Sequence, residues 1–139
     1  HKSSAMSSLN YMNNAKKYIV KTSTLDNVIE QYVNGDIDFV KIDVEGHEKN
    51  VLLSIDLNNN RPKLFCIEAI DTKTLGANYS EWENILISQN YIFILSDGLN
   101  NYYIAEEYYD EMLPHIKLAK QIFSTFTCNN IALKNNEEI

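Results

Sequence analysis

Cysteine is scarce in this chain: Cys66 lies inside an apolar run, Cys128 lies near the C-terminus, and there are no others. No C-x-x-C pair exists to suggest zinc or redox chemistry, so two free buried thiols in a reducing compartment are expected. Basic residues are also in short supply, with 12 Lys and Arg against 19 Asp and Glu and a formal charge of -7. Phosphate-binding surfaces normally carry clustered Lys and Arg, so nucleic acid is not an expected partner. No apolar run approaches the roughly 18 to 20 residues that span a bilayer, and no signal-peptide pattern opens the chain. A soluble, cytoplasmic protein is therefore expected. With only two prolines and four glycines there are few breaks, and no internal repeat or low-complexity linker divides the chain.

What is present is an ordinary globular composition, 45% hydrophobic over 139 residues. One domain of this size buries about two thirds of the surface its unfolded chain exposes. The first residue is His1 rather than Met, which implies either a processed start or a piece of something longer.

The polar stretch 1–17 reads as an irregular lead-in. "YIVKTS" is a short strand candidate. "STLDNVIEQYV" places Leu25, Val28, Ile29, Tyr32 and Val33 at helical spacing behind Ser23 or Thr24 as N-cap, with Gly35 as its end. "DIDFVKID" predicts an interior strand of a mostly buried sheet, and "GHEKNVLLSIDL" a short helix. After the turn "NNNRP", "KLFCIEAI" predicts another buried strand. Ser80 and Glu83 have the spacing of a capping box ahead of the helix "EWENILIS", with Trp82 in the core. "YIFILS" and "NYYIAEE" flank "DGLN" as an antiparallel hairpin, because Asp97 and Gly98 tolerate positive backbone angles. "YYDEMLPHIKLAKQIF" is helical in period, with Pro114 expected to start a new helix or kink one. The alternation of strand and helix predicts an α/β layer fold with parallel strands and one antiparallel edge.

The chemistry concentrates in "DFVKIDVEGHEKN". Asp43 and Glu45 follow an apolar strand, Gly46 permits a sharp turn, and His47 and Glu48 enter the next helix. In open parallel sheets ligands bind beyond the carboxyl ends of strands. Glu68, followed by Asp71, would add a carboxylate at the neighbouring strand end. Such a rim suits three tasks: binding a divalent cation, orienting sugar hydroxyls, or acting as a base whose pKa its neighbours raise. The bland reading competes evenly with these, since the same acids would favour a helix N-terminus and keep a loop soluble. A resident metal is not expected, because neither a His pair at helical spacing nor a calcium-loop pattern is present. Asp97, Asn100 and Tyr102 could present a ligand contact, although a hairpin turn with a polar tip is the commoner explanation.

The segments "TSTLDNVI", "DFVKIDVEGHEKNVLLS" and "RPKLFCIEA" resemble, in order and spacing, motifs of the FkbM family of S-adenosylmethionine-dependent methyltransferases. "SEWENILISQNYIFILSDGLNNYYIAEE" is similar to the C-terminal region of members associated with glycan and polysaccharide genes. The resemblance implies a Rossmann-like class I methyltransferase fold, of which residues 18–139 would be the C-terminal part, ending in an antiparallel hairpin. It also implies S-adenosyl-L-methionine as methyl donor and a hydroxyl oxygen, on a saccharide or other small molecule, as acceptor. By the same analogy Asp43, Glu45, His47 and Glu48 would be catalytic, and Glu68, Asp97 and Asn100 would face the acceptor. The family's Gly-rich cofactor loop has no counterpart here, because the four glycines are scattered singly. Cofactor-binding residues are thus unassigned, and poor cofactor binding and self-association of a chain lacking that half are expected. Two other readings stay open: a non-catalytic carbohydrate-binding or remnant module, and a metal-assisted hydrolase using Asp43, Glu45, His47 and Glu68.

Overall fold

The computed structural model describes residues 21–71 and 76–136, with backbone alone at 71 and 126–136. Helix α1 (Leu25–Tyr32) starts where expected: the Thr24 side chain accepts from the Asn27 N–H, and Ile29 points into the core. Next come β1 (Phe39–Ile42), α2 (Glu48–Leu52), β2 (Leu64–Glu68) and a small antiparallel pair, β3 (Ile70–Asp71) with β4 (Gly76–Ala77). Helix α3 (Glu83–Ile87) precedes β5 (Tyr91–Ser96) and β6 (Asn100–Ala105), and α4 (Tyr109–Asn136) follows.

Four strands form one mixed sheet in the order β1-β2-β6-β5. β1 and β2 are parallel and joined through α2, as a strand, helix, strand pattern requires. β6 runs antiparallel to both its neighbours. The antiparallel hairpin was expected and forms one side of the sheet; within it β6 lies inside, with Tyr103, Ile104 and Ala105 buried, and β5 takes the edge. Both hairpin strands contribute to both apolar layers, Tyr91 and Ile94 from β5 and Tyr103 and Ile104 from β6, with β6 the more continuously buried.

One sheet face packs Ile42, Phe65, Ile67, Tyr91 and Tyr103 against Ile29, Leu52, Trp82 and Leu86. Edge-to-face ring pairs bind this layer, Phe65 with Tyr91 at 5.2 Å and Trp82 with Tyr103 at 5.8 Å. The other face is covered over β5 and β6 by α4, through Ile94, Ile104 and Ile116. Arg61 clamps the start of β2 to the far end of the hairpin, pairing with Glu107 and donating to the Gln89 carbonyl at 2.8 Å.

Several sequence expectations need correction. Among the described residues β1 is an edge strand, not an interior one, and Phe39 is 52% exposed. The capping box does not form: Trp82 is the residue before α3, with no side-chain cap, and the Glu83 carboxylate accepts from the Tyr103 hydroxyl at 2.8 Å instead. A buried tyrosine hydroxyl needs an acceptor more than an exposed helix start does. Pro114 does not start a helix, since α4 runs through it from Tyr109. The strand candidate "YIVKTS" falls largely outside the described residues, and 21–24 carry no strand. The lead-in 1–17 and the side chain of Cys128 lie outside them too, while Cys66 is free and buried as expected. No helix among the described residues is long and apolar enough to cross a membrane.

Candidate functional site

β1 ends at Ile42, and the chain reverses through a left-handed pair, Glu45 at φ 54° and Gly46 at φ 93°. A non-glycine residue rarely adopts such an angle without something holding it. The holder is Glu48, 2% exposed at the start of α2, whose Oε1 accepts from the Val44 N–H at 3.2 Å and the Gly46 N–H at 3.1 Å. Its carboxylate is thus engaged inside the loop. His47 is exposed beside it, with Nδ1 3.4 Å from the Asn50 side-chain amide.

The parallel register brings the end of β1 beside the end of β2. Asp43, Glu45 and Glu68 each place a carboxylate oxygen within 4.8 Å of the others. Asp43 and Glu45 are exposed, and Glu68 is half-buried. Burial first, then the charges of Asp43, Glu45 and Glu48, raise the Glu68 carboxyl above its ordinary range, and Lys41 offsets only part of this. The expected acidic rim therefore exists as geometry. It suits accepting hydrogen bonds from hydroxyls, taking up a proton, or bridging a cation.

A second carboxylate device sits at the same end of the sheet. Asp97 Oδ1 accepts from the Leu99 N–H at 2.9 Å and the Asn100 N–H at 2.7 Å, closing the hairpin turn in which Gly98 has φ 96°. The Tyr102 hydroxyl donates to Asp97 Oδ2 at 2.8 Å. Desolvation pushes Asp97 upward, but these bonds and those from the Asn100 side chain outweigh it and leave the carboxyl below its usual range. The Tyr102 hydroxyl is driven upward, by desolvation and then by its bond to Asp97, and stays a donor.

Lys41 links the two devices and escaped sequence reasoning. Its Nζ lies 3.1 Å from Asp43 Oδ2 and donates to Asn100 Oδ1 at 2.6 Å. The signal was there: a lone cation between Val40 and Ile42, two residues before Asp43 and so on the same strand face. Desolvation raises the thiol of Cys66, which lies between Lys41 and Tyr102 in the register, so it is a poor nucleophile near neutrality.

The sequence profile of the Methyltransferase FkbM domain matches residues 1–93. That is more than half of the chain, and the chain belongs to the FkbM methyltransferase domain family. The match includes Asp43, Glu45, His47, Glu48 and Glu68 and stops inside β5, so Asp97 and Asn100 lie beyond it. Neither the curated proteins nor the solved structures contain a match to this chain.

Gly35, Gly46 and Gly98 stand apart in the sequence, and a Cβ added to any of them would meet nothing within 4 Å. None is thus pressed against a second segment, as glycines of a phosphate- or nucleoside-binding loop are.

Proposed function

We propose that this chain carries the acceptor side of an O-methyltransferase that takes its methyl group from S-adenosylmethionine and modifies a hydroxyl of a saccharide or other small molecule. The observation behind the reading is the convergence of Asp43, Glu45 and Glu68 at two parallel strand ends, in a chain of the FkbM methyltransferase family. Carboxylates so placed hold a hydroxyl by its proton and turn its oxygen lone pair outward. Glu68, with its raised affinity for protons, is the best suited of the three to take that proton up. Glu48 serves the site by holding the loop, and Asp97 and Asn100 border it from the hairpin turn.

Two measurements test the reading. Calorimetry with S-adenosylmethionine and S-adenosylhomocysteine, on this chain and on the full-length gene product, should show binding by the latter; if neither binds, the reading falls. Transfer of labelled methyl groups to a panel of glycosides should then fall by about 100-fold or more in Glu68→Gln. Binding of a glycoside with no transfer would favour a non-catalytic carbohydrate-binding module.

A metal-assisted hydrolase is the second reading, and the same three carboxylates within 4.8 Å support it. It expects metal in the purified protein that Asp43→Asn with Glu45→Gln removes. The edge of β1, which has no second partner strand among the described residues, and the exposed Phe39 also support self-association. A single monomer peak in gel filtration would remove that expectation.

A further inference from the structure

Lys41, Asp43, Asn100, Asp97 and Tyr102 form one unbroken polar chain across three strands. The register sets Lys41 beside Cys66 and Cys66 beside Tyr102, so the lysine reaches over β2 to touch β6. Asn100 is the joint. Its Nδ2 donates to Asp97 Oδ2 at 3.1 Å, which leaves Oδ1 to accept from the Lys41 ammonium at 2.6 Å. Reversing the amide would set its NH2 against the ammonium and its oxygen against a carboxylate, so both neighbours enforce one orientation. A backbone bond from the Ala69 N–H to the Leu99 carbonyl, 2.8 Å, ties the same turn to the end of β2.

We propose that Lys41 is the positioning residue of the candidate site: held between Asp43 and Asn100, its ammonium sets the Asp43 carboxylate and the Asp97–Asn100 turn in a single arrangement. The assignment of a catalytic setting to this arrangement rests on the methyltransferase reading; the coupling itself rests on geometry alone. An exposed ion pair contributes little to stability, and the two salt-bridge side chains, Lys41 and Asp43, are 37% and 49% exposed. Lys41 therefore acts on orientation, not on whether the chain folds. Asn100, on β6, is the lever that reports this, because the lysine bonds to it and to Asp43 at once.

The test uses the full chain with the side-chain carboxyl carbons labelled. Asn100→Ala and Lys41→Met should each shift the Asp43 carboxyl resonance, and should speed amide exchange at Leu99 and at the position after it by about tenfold. Lys41→Arg, which keeps the charge and the reach, should restore both. In the full-length gene product Lys41→Met should lower kcat for methyl transfer by about 10 to 100-fold while leaving KM for S-adenosylmethionine within about twofold. An Asp43 resonance and a turn exchange rate indifferent to Asn100→Ala would overturn the proposal, as would failure of Arg to restore what Met removes. Coupling that persists in a gene product binding neither S-adenosylmethionine nor S-adenosylhomocysteine supports the Lys41 assignment and removes the methyltransferase reading alone. Nucleoside binding without coupling does the reverse.

Discussion

The loop after β1 and the turn after β5 solve one problem in two ways. Each contains a glycine at positive φ, and each is closed by a single carboxylate oxygen that accepts two backbone N–H groups. In the first loop the carboxylate belongs to Glu48, the buried first residue of α2; in the second it belongs to Asp97 and is half-buried, with Asn100 and Tyr102 completing its shell. The difference separates structure from chemistry. Because Glu48 closes its loop from within, Asp43 and Glu45 remain exposed beside Glu68, whereas Asp97 commits its carboxylate to holding the turn.

The comparison can be broken most directly at Glu48. Truncation to Ala leaves two loop N–H groups without their acceptor and opens a cavity, which should cost about 3 kcal/mol in urea unfolding. A loss under about 1 kcal/mol would mean that the loop closes without it. Asp97→Ala, in a more exposed setting, should cost about 1 to 2 kcal/mol. Its pH signature has a definite sign. The Asp97 carboxyl is held below its unfolded value, so its contribution is present above the ordinary carboxylate pKa and disappears as pH falls through the lowered one. Unfolding free energies of wild type and Asp97→Ala should therefore converge below about pH 4.

Glycine to alanine substitutions sharpen the parallel. Gly46 and Gly98 have φ 93° and 96° with open space where a Cβ would go, so each should lose about 1 kcal/mol from backbone strain alone. Unequal losses would show that one loop relaxes and the other does not. The smallest effect, and the opposite sign, belongs to Glu68→Gln. A carboxyl raised above its unfolded pKa favours the fold while protonated and opposes it as pH rises through the raised value. The variant should thus be more stable than wild type at neutral pH, by less than about 1 kcal/mol, and indistinguishable at acid pH.

Much of this was legible beforehand because it is local. Helix α1 with Thr24 as its cap, the parallel pair joined by α2, the hairpin at Asp97 and Gly98, and the acidic rim all follow from periodicity, turn chemistry and the position of acids after apolar strands. Trp82 in the core followed as well. The errors were of another kind. Ser80 and Glu83 had the right spacing for a capping box, yet Glu83 answers to Tyr103, twenty residues away. The hairpin was recognisable, but nothing within it says which of its strands will pair with β2.

By itself the sequence determined which residues would gather at strand ends, since carboxylates that directly follow two apolar strand segments fall at the same rim once those strands pair in parallel. It also marked the family, through the motif that runs from Asp38 to Asn50. Only the tertiary structure decided that Glu48 turns inward to hold the loop, that β6 enters the sheet beside β2, and that Lys41 reaches Asn100, 59 residues away. Those outcomes depend on strand register and burial, which arise from contacts between distant segments and have no signature in any one of them.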